Sequence, residues 1–223
     1  MKAFFHILVL LAALAMEPVA AQAQTPLPQG TFLFDTFTEG RILMKNKLST
    51  RARFNYDCVR QQLHFMDRDQ EMILDHILQV DTLYIGTRIF IPYQTRFVEC
   101  ITAGPDVLRV DWKAKIYNQG KKGAMGFVSQ AGGIEKMDVG QLQNRGHDHT
   151  SNDVNVVKYA NTYSFLLNGK RKTFTTAKTF LKLFPQTQQT NLKTFYQNEA
   201  VRMDDPWSVA RWVGYALSTC TIP

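Results

Sequence analysis

Residues 80–92 constrain the fold more than any other stretch, because they have the pattern of a β-hairpin. Two short runs rich in β-branched and aromatic residues meet at Gly86 and Thr87, and the second run ends at Pro92. Glycine reaches positive φ at little cost, so Gly86 suits the first position of a tight turn. Proline cannot donate to a strand ladder, so Pro92 marks a strand end or a sheet edge. The pattern predicts a hairpin near the centre of an antiparallel sheet.

Alternation of apolar and polar residues predicts further strands of the same kind. The clearest case is 53–58, in which Tyr56 and Cys58 would face the core while Asn55 and Asp57 would face water. A sheet with one buried and one solvated face is typical of antiparallel pairing. The spacing of the strands and of their turn residues is typical of a meander, a sandwich or an open barrel.

The end of the chain has helical signals instead. Thr176 can cap a short helix that ends at Pro185, and Asp205 followed by Pro206 is a good helix start. Apolar residues spaced three and four apart continue through this region, as in amphipathic helices. The sequence therefore predicts an α+β fold. It would be a mainly antiparallel β-sheet meander or open barrel-like sheet, with a C-terminal segment of two to three helices packed on it.

The amino terminus has the anatomy of a secretory signal peptide. Residues 1–23 have a positive start, an apolar run and a small-x-small pattern before the expected cleavage position. The apolar run is shorter than the ~20 residues that span a bilayer, so we expect cleavage and no transmembrane segment afterwards. The protein is thus expected to be exported, to the periplasm or the cell exterior, and to be associated with the envelope.

The mature chain divides by composition into three parts. Residues 24–31 form a proline-rich, extended lead-in, and residues 32–174 form the β domain. Within that domain, seven glycines and few large apolar residues predict a long excursion from the sheet at 118–153. Residues 175–223 form the helical segment.

Charge and cysteine content limit the partners and the redox chemistry. The formal net charge of +7 favours an anionic partner: an acidic glycan, a lipid headgroup or an acidic protein. Nucleic acid is not expected, because the basic residues do not interleave with aromatic residues in a stacking pattern. Cys58, Cys100 and Cys220 allow one disulfide with one thiol left over, or three unpaired thiols.

A polar stretch within the predicted excursion is the candidate metal site. It contains His147, Asp148, His149 and Asp153, and histidine with carboxylate can bind zinc or another divalent ion. The stretch supplies two histidines but no distinct third ligand of that kind. A solvated polar loop is the alternative interpretation, and no cofactor is expected.

A second run in the excursion is the candidate anion site. Lys121 and Lys122 lie among glycines at 120–126, so ammonium groups and backbone N–H groups could meet a phosphate or sulfate. The order of residues is neither that of a P-loop nor that of the dinucleotide-binding fingerprint. A flexible basic turn is the alternative.

Signals for covalent or acid–base catalysis are weak. No Gly-x-Ser-x-Gly elbow occurs, and Cys100 is expected on an apolar strand face, where its thiol would be inert. Glu99, Asp111 and Glu135 could supply a glycosidase-like carboxylate pair only if the fold brought two of them together. His64 is expected on a solvated strand face and His76 in a surface turn.

Several short motifs in a fixed order resemble a group of uncharacterised exported bacterial proteins, in which short strands precede a helical tail. The motifs are Asn55-Tyr-Asp57, Val80-Asp-Thr82, Phe90-Ile-Pro92, Phe97-Val-Glu99, Lys121-Lys-Gly-Ala124 and Phe180-Leu-Lys-Leu-Phe-Pro185. The likeness covers most of the mature chain. It implies export and an accessory role, and it assigns no catalytic residue.

The sequence as a whole favours a non-catalytic binding or structural protein of the cell envelope, with a basic surface. One alternative is a metal-assisted hydrolase that uses the loop at 120–153. The other is a subunit of a secreted or surface assembly, which would expose an apolar patch on its terminal helices.

Overall fold

The computed structural model describes residues 30–122, 128–129, 135–136 and 153–220, with side chains described for 30–117 and 157–220. Strands come first and helices last, so the predicted α+β class is confirmed. The strands, in chain order, are β1 (Thr38–Met44), β2 (Ser49–Asp57), β3 (Gln62–Asp67), β4 (Gln70–Ile73), β5 (Val80–Ile85), β6 (Arg88–Tyr93), β7 (Arg96–Ala103), β8 (Asp106–Asp111), β9 (Ala114–Lys122), β10 (Val128–Ser129), β11 (Glu135–Lys136), β12 (Asp153–Tyr159), β13 (Thr162–Leu167) and β14 (Lys170–Phe174). The helices are α1 (Ala177–Leu181), α2 (Gln186–Asn198) and α3 (Pro206–Thr219), and a 3₁₀ turn lies at Ile77–Gln79.

Ten strands form one large antiparallel sheet in the order β14-β13-β8-β7-β6-β5-β1-β2-β3-β4. The sheet is open, because β14 and β4 do not pair with each other. The hairpin predicted over 80–92 is confirmed: β5 and β6 lie in the middle of this order and meet at Gly86, whose φ is +56°. The second predicted two-residue turn, Asn168-Gly169, joins β13 to β14 with positive φ at both residues.

A smaller antiparallel sheet is built around β9, which pairs with β10, β11 and β12. Its two longest strands continue directly from the large sheet. The chain passes from β8 into β9 through Trp112 and Lys113, and from β12 into β13 through Ala160 and Asn161. The two crossings are joined by the Ala160 N–H, which donates to the Lys113 carbonyl oxygen at 2.7 Å. The sheets therefore meet at one hydrogen-bonded junction.

The core lies on one face of the large sheet, which we call the inner face. Strand register places one row of cross-strand neighbours on it, and every member of the row is buried. The row consists of Ile42, Leu83, Phe90, Glu99, Val110, Tyr163 and Phe174. The helices cover this face, as the ring of Phe180 on α1 shows: it lies 4.8 Å from that of Phe174 and 4.2 Å from that of Trp212 on α3. The predicted packing of the helical segment on the sheet is thus present.

The helix starts follow the sequence signals. The Thr176 hydroxyl accepts from the Thr179 N–H, which caps α1. The Asp205 carboxylate accepts from the Trp207 N–H at 3.0 Å, and Pro206 occupies the first helical position of α3. Helix α3 crosses the β7–β8 turn very closely, because Gly214 and Gly104 meet there. A Cβ atom on Gly214 would lie only 2.9 Å from the backbone nitrogen of Gly104.

The predicted solvent exposure on β2 is wrong for two polar residues. Asn55 and Asp57 are buried, not solvated, because the segment that precedes β1 covers them. The Asn55 side chain exchanges two hydrogen bonds with the backbone of Phe34, and Asp57 accepts from the Val59 and Arg60 N–H groups. The free-energy cost of burying these side chains is small because their polar atoms are hydrogen-bonded.

The two ends of the large sheet differ in character. Strand β14 carries Lys170, Arg171 and Lys172 in succession. Strand β4 is four residues long and fully exposed, and its apolar Met72 and Ile73 are each 45% exposed. Within the described residues, no helix is long and apolar enough to cross a membrane.

Candidate binding sites

Strand register places three arginines in one row of cross-strand neighbours on the outer face of the large sheet, which is the face opposite the core. The row runs across eight strands and contains three arginines and no acidic residue. Its members are Arg51, Arg41, Tyr84, Ile89, Cys100, Arg109, Ser164 and Thr173. Arg53 on β2 and Arg171 on β14 lie two residues along from the ends of the row, on the same face. We call these five arginines the arginine face.

The arginines of this face make no ion pair within the described part of the chain. None of them has a carboxylate within 4.0 Å, although Glu39 is the direct cross-strand neighbour of Arg53. Arg41 and Arg51 are direct cross-strand neighbours, an arrangement of like charges that destabilises a sheet. The guanidinium carbon of Arg41 lies 4.9 Å from the centre of the Tyr84 ring, which supplies a cation–π contact in place of an ion pair.

An ion pair is buried on the inner face, beneath the helices. The Arg88 guanidinium donates to both carboxylate oxygens of Glu99 at 2.6 Å, and the Trp112 indole N–H donates to the same carboxylate at 2.7 Å. Arg88 is 6% exposed and Glu99 is 2% exposed. Such a bidentate, charge-assisted pair is a strong interaction, but it leaves neither group free for acid–base chemistry.

Aromatic rings enclose the cation of this pair. The Arg88 guanidinium carbon lies 4.8–5.5 Å from the centres of four rings, those of Phe34, Phe90, Trp112 and Trp207. The Nη1 atom of Arg88 has no hydrogen-bond acceptor among the described residues. The ring faces compensate the positive charge electrostatically, because their quadrupoles are negative above the plane. The cluster joins the sheet to α3 through Trp207.

A cleft of about 640 Å³ lies beside the junction between the two sheets. Lys113 and Lys115 are among its lining residues, and so is Asp204, on the segment between α2 and α3. Tyr159, Asn161 and the hydroxyl residues Thr162, Thr175 and Thr176 complete most of the wall. None of the residues of the arginine face lines the cleft, so the two sites are separate.

Hydrogen bonds hold several of the lining residues of the cleft in place. Asn161 is 4% exposed; its side-chain oxygen accepts from the Lys113 N–H at 3.2 Å, and its amide donates to the Tyr163 hydroxyl. The Tyr163 hydroxyl in turn donates to the Met203 carbonyl at 2.6 Å. Burial raises the pKa of the Tyr163 phenol, so it stays protonated and keeps this bond. The chain of bonds ties the lysine-bearing strand to the loop that carries Asp204.

The Asp204 carboxylate is ionised, and Arg202 fixes its orientation. Arg202 donates to both oxygens of Asp204, at 3.1 and 2.7 Å. These hydrogen bonds and the positive charge of Arg202 hold the pKa of the Asp204 carboxyl below its usual range. The cleft is therefore lined by two lysines and by a carboxylate that accepts hydrogen bonds.

The metal and anion candidates taken from the sequence fall outside what the structure describes. His147, Asp148 and His149 are not among the described residues, and Lys121, Lys122 and Asp153 are described as strand backbone only. Within the described part of the chain, no group of three or more histidine, cysteine or acidic side chains could hold a metal ion. The predicted sites at 120–153 remain predictions.

The remaining candidates are separated by the fold. Glu99 faces the core while Asp111 lies on the outer face, bound by Arg96 and Gln61, so they form no carboxylate pair. Cys100 also lies on the outer face and is partly exposed, contrary to the expected apolar face. The three thiols are not bonded to one another.

The two histidines outside the excursion have different environments. His64 is 8% exposed, not solvated as expected, because Phe32 packs edge-on against its ring. Its Nδ1 atom lies 2.6 Å from a carboxylate oxygen of Glu71. His76 is exposed beside the 3₁₀ turn, as predicted.

Comparison with known proteins adds no identification: no family model, no curated protein and no solved structure matches this chain. The architecture of short antiparallel strands followed by helices is the one that the resemblance implied. Membership of that group of exported proteins stays a prediction.

Proposed function

We propose that this chain is an exported, non-catalytic binding protein of the cell envelope, and that its arginine face contacts an anionic partner. The observation that carries the proposal is the row of cross-strand neighbours on the outer face, which contains Arg51, Arg41 and Arg109. Seven strand-to-strand steps of about 4.8 Å give the row a length of about 34 Å. That length and the arginines without an ion pair suit an extended anionic surface or polymer more than a small ion.

Exposed apolar side chains among the arginines also support contact with a large partner. Ile89, in the middle of the row, is 42% exposed, and the nearby outer-face residues Val107 and Leu166 are 42% and 40% exposed. Arginine binds sulfate, phosphate and carboxylate groups bidentately, and its weak hydration lowers the cost of removing water at an interface. A face of this kind favours binding over catalysis, because it offers cations but no paired acid and base.

The experiment measures binding to probes that separate the sources of negative charge. The probes are sulfated dextran, a polyuronate, and vesicles with anionic phospholipid, each beside a neutral counterpart. We expect binding to at least one anionic probe, weakening as NaCl rises from about 50 to 300 mM, because salt screens exposed charges. The probe that binds identifies the glycan or the lipid as the source.

A matched pair of variants assigns the binding to the face. Arg41→Ala/Arg51→Ala/Arg109→Ala should lose most of the binding. Lys178→Ala/Lys182→Ala/Lys193→Ala removes the same number of charges from exposed positions on and beside the helices and should bind like the parent protein. Equal binding by the two triple variants, or binding that salt does not weaken, would refute the proposal.

A further inference from the structure

The cleft beside the sheet junction has the dimensions of a small-molecule site. Its volume of about 640 Å³ lies within the usual range of ligand pockets, about 300–1,000 Å³. Its walls come from four separate segments of the chain: the β8–β9 crossing, the β12–β13 crossing, the β14–α1 connection and the α2–α3 connection. Hydrogen bonds through Asn161 and Tyr163 hold three of these segments together without a ligand. The site is therefore preformed, and a ligand would not have to organise it.

The lysines of the cleft carry a charge that the described residues leave unbalanced. Lys113 and Lys115 point to the same side of the chain, since they are two residues apart along an extended segment. Lys158 is the direct cross-strand neighbour of Lys115, although its ammonium nitrogen lies 5.2 Å from the centre of the Tyr117 ring. Like charges in that position destabilise a sheet, and no described carboxylate lies within ion-pair distance of the three. An anionic group seated among them would remove the repulsion.

A carboxylate that lines the same cleft narrows the class of anion. The ionised Asp204, held by Arg202, accepts hydrogen bonds but donates none, so it suits a hydroxyl donor better than a second negative group. Thr162 and Thr175 add hydroxyl groups, and the half-buried Tyr159 adds an aromatic surface. A ligand that suits both the lysines and the carboxylate has a negative group and several hydroxyls. Inorganic phosphate meets only the first of these requirements.

We infer that the cleft binds an acidic sugar, with its carboxylate at Lys113 and Lys115 and its ring hydroxyls toward Asp204. This inference goes beyond the proposed function and does not rest on it, since it involves other residues on another part of the molecule. A charge-assisted contact at each lysine makes the carboxylate end the stronger anchor. The hydroxyl contacts give selectivity over simple anions.

The test is titration calorimetry with sugars that differ in a single group. The probes are galacturonate, glucuronate and the disaccharide of galacturonate, beside neutral galactose and inorganic phosphate. We expect at least one acidic sugar to bind with a Kd at or below about 1 mM, and galactose and phosphate to bind about tenfold more weakly or not at all. No binding of any acidic sugar at about 10 mM, or equal binding of phosphate, would overturn the inference.

Variants locate the binding within the cleft. Lys113→Ala/Lys115→Ala should weaken acidic-sugar binding at least about tenfold, since it removes both charge-assisted contacts. Lys45→Ala/Lys193→Ala makes the same charge change at exposed positions away from the cleft and should leave binding unchanged. Wild-type affinity in the first pair would show that the sugar binds elsewhere.

A third variant tests the orientation of the ligand. Asp204→Asn removes the acceptor charge, so it should weaken the acidic sugar while phosphate binds better than before. If sugar and phosphate change in the same direction, the carboxylate does not select for hydroxyls and the inferred orientation is wrong. The arginine-face triple variant should retain sugar binding, which separates a failure of this inference from a failure of the proposed function. Circular dichroism and urea unfolding check that each variant is folded.

Discussion

Replacing Glu99 by glutamine should destabilise this protein strongly while leaving almost all of its packing in place. Glutamine has nearly the volume of glutamate and still accepts a hydrogen bond from the Trp112 indole, so the change is one of charge. It leaves the Arg88 guanidinium buried, at 6% exposure, without its counter-ion. Removing one partner of a buried ion pair costs about 3–5 kcal/mol, because the remaining charge is not solvated.

That loss is large against the stability of a domain, which is about 5–15 kcal/mol. With a urea dependence of about 2 kcal/mol per molar, a loss of 4 kcal/mol lowers the unfolding midpoint by about 2 M. The aromatic rings around Arg88 reduce the loss, since a desolvated cation–π contact contributes about 2 kcal/mol. We therefore expect a midpoint shift of about 0.5–1.5 M, measured by tryptophan fluorescence in urea.

A double-variant cycle separates charge from packing. Arg88→Met/Glu99→Gln removes both charges and keeps an acceptor for Trp112, so it should recover more than half of the stability that Glu99→Gln loses. Replacing exposed lysines by alanine shows how far the urea midpoint moves when a charge is removed from an exposed position. A midpoint within about 0.3 M of wild type for Glu99→Gln would mean that water reaches the guanidinium, and it would refute this account of the core.

Three further predictions concern stability. Gly214→Ala should lower the free energy of unfolding by about 1–3 kcal/mol in thermal melts, because the new methyl group would press on the Gly104 backbone; a gain in stability would mean that the crossing can widen. Asp205→Ala should cost about 1 kcal/mol by removing the cap of α3, whereas Asp205→Ser should cost less, and equal effects would exclude a capping role. Burial raises the pKa of the Cys58 thiol and the Tyr159 phenol, so both stay protonated in the folded state. The contribution of these two groups to the free energy of unfolding is complete below their unfolded pKa values, about 8.5 and 10, and is lost as pH rises above those values. The urea midpoint should therefore fall above about pH 9, and it should fall less steeply in Tyr159→Phe.

The parts of the fold that the sequence predicts are those with local signals. Gly86 marks the turn of the central hairpin, and Asp205 with Pro206 marks the start of α3, because turn and cap chemistry depends on adjacent residues. Asn55 and Asp57 lie on the predicted face, opposite Tyr56, but are buried there, because a segment about twenty residues earlier in the chain covers them. No periodicity within β2 could reveal that contact.

Neither binding site could be predicted from the sequence. Arg41, Arg51 and Arg109 lie on three strands, and only the pairing register shows that they share one row. The cleft joins Lys113 to Asp204, nearly a hundred residues later in the chain, through the helix connection. The only local signal was that Lys113 and Lys115 alternate with buried residues, which places them on one side but does not say what faces them.

The open sheet determines how copies of this chain can approach one another. Two β14 strands brought side by side would place Lys170, Arg171 and Lys172 of one copy against the same three cations of the other. That repulsion opposes the edge-to-edge pairing by which exposed strands aggregate, as lysine-rich edges do in other β proteins. At the opposite end, β4 is only four residues long, and a very short edge strand is another feature that limits such pairing. The positive charge of β14 at one end of the open sheet and the short length of β4 at the other thus both oppose association between copies at high concentration.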